Sequence, residues 1–420
     1  MPLRRVPIRA RLLMSSPGWP KDSMSELSWW DARIRAGSAV EPGSVEAVAV
    51  RDALGRTLAK DANALVDLPG FATAAMDGWV VSGDGPWTIT GTIDTGTPVS
   101  GELSAGQAMR IATGCAIPSG SSAVVPWEVA RVDGEGIGGR VHAEASDKIH
   151  IRPRGEECAV GDVLARAGDV VNPALIGSLS AAGIDQVSVV RPLKFSILVL
   201  GDEVIESGLP TEGTVRDALG VQLPSWVQAY GGEVVANRRI LDDPTELEAG
   251  LRTAVAESDV VIATGGTARG HRDFLRSTLE RLSARFLVDG VAVRPGHPMM
   301  IATVGGTPVV GLPGNPLSAL VAMVTLVEPL VDAWNARPAR QLPQVQIAEG
   351  VAPSAKELTR LMVGRRELGG FRQVQRVSSA MLRGIAHSDG WAVIPASGVA
   401  PGEVVPWIPV PWVRRTSDSD

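Results

Sequence analysis

The sequence predicts a multidomain α/β protein, with a doubly wound α/β domain, flanking β-rich domains and a small C-terminal β-barrel. Three observations carry this. Between residues 195 and 333, apolar runs of strand length alternate with helical patterns. From about 64 to 185, short β-rich runs alternate with Gly and Ser turns. Beyond Asn335, Pro338 and Pro343, a second set of short β-type runs fills 344–412.

The elements follow in order. Residues 1–24 carry Arg4, Arg5, Arg9 and Arg11 ahead of Leu12, Leu13 and Met14, an apolar run too short for a signal-peptide core. A disordered extension is expected there, with Met24 an alternative start. Residues 28–60 are expected to form one or two helices. Ser44 would cap VEAVAVRDALG, and Val45, Val48 and Leu54 would supply its apolar face. WTITG, AMRIAT, AVVPWEVARV and KIHIR read as strands, and PALIGSLSAAGI as a helix. In the α/β unit, strands are expected at 195–200, 233–236, 259–263, 286–288 and 307–311. Helices are expected at 217–230, 245–257, 271–282 and 316–333. LTRLMVGRREL, FRQVQRV, GWAVIPA and EVVPWIPV supply the last strands, and a purely structural role is expected for them. The expected domains are 25–87 with 146–192 (mixed linker), 88–145 (inserted β-rich), 193–335 (α/β) and 336–420 (barrel with tail).

The chain has 420 residues, 45% hydrophobic, which supports several cores. Net charge is −6 with no compensating basic stripe, which argues against a nucleic-acid partner. Cys115 and Cys158 stand in no CxxC pair, and the five histidines form no HxH or HExxH pattern. No uninterrupted run of 18 apolar residues occurs, so no membrane span and a cytoplasmic location are expected.

Three strand-to-loop junctions carry the chemistry: FSILVLGDE at 195–203, DVVIATGG at 259–266 and GLPGNPLS at 311–318. Such junctions at the carboxyl ends of parallel strands form a ligand crevice, and free N–H groups at a helix start can hold an anion. The acids beside the glycines point to metal-assisted phosphate chemistry.

Ordered blocks then identify a family. LPGFATAAMDGWVV (68–81), RIATG (110–114), AVVPWE (123–128), IRPRGEE (151–157), LGDEV (200–204), LDDP (241–244), ATGGTARGHRDF (263–274), VRPGHPMM (293–300) and GLPGNPLSA (311–319) occur in sequence. Together they resemble the molybdopterin molybdenumtransferases of the MoeA type, related to the C-terminal domain of gephyrin. The α/β domain alone is MoaB/MogA-like, resembling the smaller molybdopterin adenylyltransferases, which lack the flanking β domains. The resemblance implies four domains and an elongated homodimer, with an active site between the α/β domain of one subunit and the N-terminal β segments of the other. It implies insertion of molybdate into adenylylated molybdopterin, with release of AMP and help from Mg²⁺.

The site residues follow from the same blocks. Asp77, Thr113, Glu203, Asp242 and Asp273 are the catalytic candidates, and Glu203, Asp242 and Asp273 the candidate Mg²⁺ ligands. Arg152 and Arg154, on one face if extended, are candidates for pyrophosphate or molybdate. Asp217, Gly265, Gly266, Thr267, Arg294, His297, Pro313, Gly314, Asn315, Pro316 and Ser318 complete the binding set. His271 and Arg272 are expected to face solvent. Cys115 either lines the cleft or fills core space.

Four departures from the family pattern stand out. Ala74 replaces a Ser, Leu200 a Thr, Leu219 an Asn and His297 a Lys. They motivate two alternatives: a weakened paralogue acting as a molybdopterin-binding or partner-binding scaffold, and a tungstate-handling variant. An adenylyltransferase is an expected partner.

Overall fold

The structure is a computed structural model describing residues 26–412, apart from 135, 145–148, 268–272 and 376. The expected extension at 1–24 lies outside the described residues. At the centre, six strands stand in the order Glu233–Ile240, Lys194–Leu200, Val260–Thr264, Thr307–Leu312, Met300–Val304, Arg285–Asp289. The first four are parallel, Met300–Val304 runs against them, and Arg285–Asp289, antiparallel to it, runs with them again. The three junction strands expected to lie parallel do so. Met300–Val304 was not expected as a strand; it pairs with Thr307–Leu312 across a tight turn.

Alternation along the central strands explains the two-sided winding. Phe195, Ile197 and Val199 pack with Leu223 and Trp226 on one face. Leu198 and Leu200 pack with Leu247, Leu251 and Leu275 on the other. The first core is covered by the helices Leu219–Tyr230 and Pro316–Trp334, the second by Pro244–Glu257 and Phe274–Arg281.

The helix Pro316–Trp334 has the length and apolar composition of a membrane span. It is a core helix, buried in the protein along nearly its whole length. Met323–Val327 takes the π form. There the Glu328 N–H donates to the Met323 carbonyl. The next carbonyl, Val324, would need a donor at Pro329, which has none. The Arg33 guanidinium supplies it. Arg33 reaches this point from the helix Trp29–Gly37, whose Trp29 Nε1 also donates to Thr325 Oγ1 at 2.9 Å.

A buried charge network surrounds this contact. Glu328 pairs with Arg33 at 3.0 Å and Arg340 at 3.3 Å. Asp332 pairs with Arg340 at 2.7 Å and Arg337 at 3.5 Å.

The helix expected after Ser44 is corrected. Val45–Ala49 is a strand, antiparallel to Gln186–Val190. The spacing of Val45 and Val48 suits a helix, but partner QVSVV offers a ladder, and tertiary pairing overrides local pattern. The inserted sheet runs Ala123–Pro126, Gly78–Val81, Gln107–Ile111, Trp87–Ile93, Arg140–His142, Arg131–Asp133. It thus takes in Gly78–Val81, ahead of the boundary expected at 88. The helix Trp29–Gly37, assigned by sequence to the linker domain, packs instead on the long helix of the α/β domain.

The C-terminal strands form a sheet in the order Val293–Arg294, Thr359–Glu367, Gly390–Ile394, Val404–Pro409, Gln344–Gln346, with Gly370–Gln373 also paired to Thr359–Glu367. Val293–Arg294 comes from the α/β segment, so the two units share a ladder.

Candidate active site

Two cavities adjoin at Pro298, and they differ in chemistry. The first, of about 740 Å³, opens at the carboxyl ends of the parallel strands. Glu203, Asp217, Asp242, Gly265, Gly266, Thr267, Asp273, Pro313, Gly314, Asn315 and Pro316 all line it. All three junctions expected to form a crevice therefore meet there. The fold positions the acids in particular ways. Asp202 Oδ1 accepts the Asp242 N–H at 3.0 Å, tying the ends of two adjacent strands together. Asp217 Oδ1 accepts the Gly220 N–H at 2.7 Å, so this carboxylate caps its helix while lining the cavity. Gly265 and Gly266 have φ of 83° and 64°, which only glycine adopts readily, and the Gly265 N–H donates to Leu312 O at 2.8 Å.

Among the described residues, no three His, Cys, Asp or Glu side chains form a metal cluster. Glu203, Asp242 and Asp273 share the cavity without forming one. Mg²⁺ is commonly held by one or two carboxylates plus substrate oxygens and water, so the donor set suits a Mg²⁺–phosphate pair.

The second cavity, of about 830 Å³, is basic. Arg294, His297, Lys356 and Arg360 line it with Ser318, Ser378 and Ser379. Glu26 is its carboxylate, and Glu26 Oε1 lies 2.7 Å from His297 Nε2. Glu26, Lys356, Arg360 and Ser379 were missed by sequence reasoning. Lys356 and Arg360 precede and open a strand in a segment expected to be structural only. The basic character of KELTR was the available signal.

The helix start at Pro316 departs from expectation. The Leu317 and Ser318 N–H groups both donate to the Ser379 carbonyl, at 2.9 and 3.2 Å. They are not free for an anion. Ser318 is buried and faces the basic cavity, not the glycine-lined one.

The N-terminal candidates lie on other elements. Asp77 precedes the strand Gly78–Val81. Its Oδ1 accepts from the Thr113 N–H at 2.6 Å and the Thr113 hydroxyl at 2.8 Å. These two bonds, the backbone one first, hold the carboxyl below its ordinary range. Arg152 pairs in a short ladder with Thr73, but the strand ends there. Arg154 turns away to an ion pair with Asp67, so the two arginines do not share a strand face. The Val160 N–H and that guanidinium lower the Asp67 pKa. Cys115 is core filling, its Sγ 3.5 Å from Thr95 Oγ1. His271 and Arg272 lie outside the described residues.

Comparison with known proteins agrees with this architecture. Residues 27–183 match the MoeA N-terminal region (domain I and II), and residues 196–333 a probable molybdopterin binding domain. The chain is 30% identical over 296 residues to the molybdopterin molybdenumtransferase of Haemophilus influenzae, covering 69% of this chain and 73% of the relative. It is 29% identical over 367 residues to molybdopterin molybdenumtransferase 2 of Mycobacterium tuberculosis, covering 83% and 90%. A molybdopterin biosynthesis MoeA protein from Pyrococcus horikoshii superposes with a TM-score of 0.75 at 25% identity, covering 92% of this chain and 99% of that one. Motif order, domain order and fold agree, and the chain belongs to the molybdopterin molybdenumtransferase (MoeA) family.

Proposed function

We propose that the chain inserts molybdate into adenylylated molybdopterin and releases AMP, working as a cytoplasmic homodimer. The observation that supports this is the adjacency of an acid- and glycine-lined cavity and a basic one, joined at Pro298. The Gly265–Gly266 turn suits a phosphate linkage. The carboxylates of Glu203, Asp242 and Asp273 would hold Mg²⁺, which when bound would supply neutralising positive charge there. Arg294, His297, Lys356 and Arg360 suit a tetrahedral oxyanion dianion. The protein's share of catalysis is then positioning and charge neutralisation. Asp77, Thr113 and Arg152, on N-terminal segments, would complete the cleft from a second copy of the chain. An adenylyltransferase is the partner class that supplies the substrate. The C-terminal sheet would curl into a small barrel, the Ile347–Phe371 bridge joining its margins.

The test is direct. Purified chain is given adenylylated molybdopterin, molybdate and Mg²⁺, and AMP release is followed with metal insertion. Stoichiometric release coupled to insertion is the expected result. Pterin binding without either would favour the scaffold reading, which Ala74, Leu200, Leu219 and His297 motivate. Faster turnover with tungstate than with molybdate would favour the tungstate variant.

A further inference from the structure

Asp77 lies at one end of the inserted sheet, where three strands run side by side. Gly78 stands opposite Ile111 on one neighbour and Pro126 on the other, and Trp79 opposite Arg110 and Val125. Gly78 has no room for a side chain, because a Cβ would meet the Val125 carbonyl oxygen at 2.0 Å. This close approach brings Trp127 beside Asp77, and the Trp127 N–H donates to the Asp77 carbonyl at 3.3 Å.

The side chains at this corner are unusual for a surface. Thr113 holds Asp77 by Oδ1 alone, which fixes the carboxylate and leaves Oδ2 with no hydrogen bond among the described residues. Trp127 is 37% exposed. The Arg110 guanidinium carbon lies 5.0 Å from the centre of its ring, and Trp79 meets it edge-on at 5.1 Å. Arg110 is exposed and has no carboxylate partner among the described residues. Trp79 Nε1 is buried without a partner.

An exposed indole, a guanidinium stacked on it and an oriented carboxylate suit one class of ligand. A flat heterocycle stacks on indole and guanidinium. The free Oδ2 accepts best from a ring edge that carries adjacent N–H donors and no acceptor beside them. A 2-amino-4-oxopteridine has that edge, in its 2-amino group and ring N3–H. The amino edge of adenine pairs one donor group with an acceptor, which a carboxylate does not match. We propose that Asp77, Trp127 and Arg110 form a seat for the pterin ring, with Asp77 reading its amino edge. The inference rests on the reading that this chain handles a pterin, and it gives Asp77 the organic part of the substrate.

The experiment is calorimetric titration of the full chain with pterin (2-amino-4-oxopteridine) and with lumazine, the 2,4-dioxo analogue that lacks the amino group. The wild type should prefer pterin by about ten-fold, since bonds to a charged acceptor carry that discrimination. Asp77→Asn should erase the preference. Trp127→Ala and Arg110→Ala should weaken both ligands by about ten-fold, and Trp127→Phe should recover most of the loss. Thermal unfolding checks each variant. If Trp127→Ala does not fold, Arg110→Ala and Asp77→Asn decide. Undetectable pterin binding, equal affinity for the two pteridines in the wild type, or wild-type affinity in the variants would each overturn the seat. AMP release measured alongside separates the two readings. Turnover with pterin affinity insensitive to Asp77 and Trp127 removes the seat and keeps the insertase. Trp127-dependent pterin binding without turnover does the reverse.

Discussion

Replacing His297 with Lys should tighten molybdate binding at about pH 8. The imidazole lines the basic cavity with Arg294, Lys356 and Arg360, and its side chain is 47% exposed, so its charge acts through water-like dielectric. For a dianion about 5 Å away, one unit of charge is worth roughly 1.7 kcal/mol at a dielectric of about 80. Screening over a Debye length of about 8 Å reduces this to about 0.9 kcal/mol, or about five-fold in affinity. A lysine carries that charge permanently. The Lys variant should therefore bind molybdate up to about five-fold more tightly at about pH 8. The gain should enter the molybdate KM before kcat, because uniform attraction acts on ground-state binding. Glu26 faces the imidazole at 2.7 Å and competes with the anion, so Glu26→Gln should raise affinity. Calorimetric titration with molybdate at about pH 8 reads all three proteins. Equal affinity in wild type and His297→Lys would refute the placement of the oxyanion in this cavity.

Other outcomes follow from the same geometry. Glu203→Gln should nearly abolish metal insertion with an unchanged circular dichroism spectrum, and full turnover at saturating Mg²⁺ would remove Glu203 from the site. Mixing inactive Asp77→Asn and Glu203→Gln chains should restore part of the activity through one intact composite site, whereas a fully active monomer in sedimentation would exclude a shared cleft. Arg33→Ala should cost about 3 kcal/mol, because it strips a cation from a buried carboxylate. That predicts a fall of roughly 6–12 °C in the transition of the α/β domain, and a shift under about 2 °C would show the pair to be dispensable.

The α/β domain was largely legible because its strands and helices repeat apolar residues at distinct periods. Lys194–Leu200 and Val260–Thr264 are buried almost throughout, and such runs between glycines read plainly as central strands. The glycine-lined cavity was legible for a related reason, since its residues sit at the ends of those strands. Val45–Ala49 was misread because its partner lies far along the chain at Gln186–Val190, and pairing over that distance leaves no local trace. The basic cavity was half read. Arg294 and His297 belong to a motif, but Lys356 and Arg360 come from a strand whose apolar neighbours suggested packing alone. The capture of the helix start by Ser379 was invisible, because a backbone carbonyl carries no residue signature.

The buried charges around Glu328 and Asp332 bear on how this chain can be divided. By sequence the α/β domain ends at 335. Yet the cations that balance its two carboxylates, 7% and 6% exposed, are Arg33, Arg337 and Arg340, all outside that segment. A fragment cut at 193 and 335 would keep both carboxylates and none of their counter-ions. Extending the cut to Arg340 would return two of the three cations. The third arrives only with the helix Trp29–Gly37, so the smallest electrically balanced piece begins near residue 28 and ends near 340.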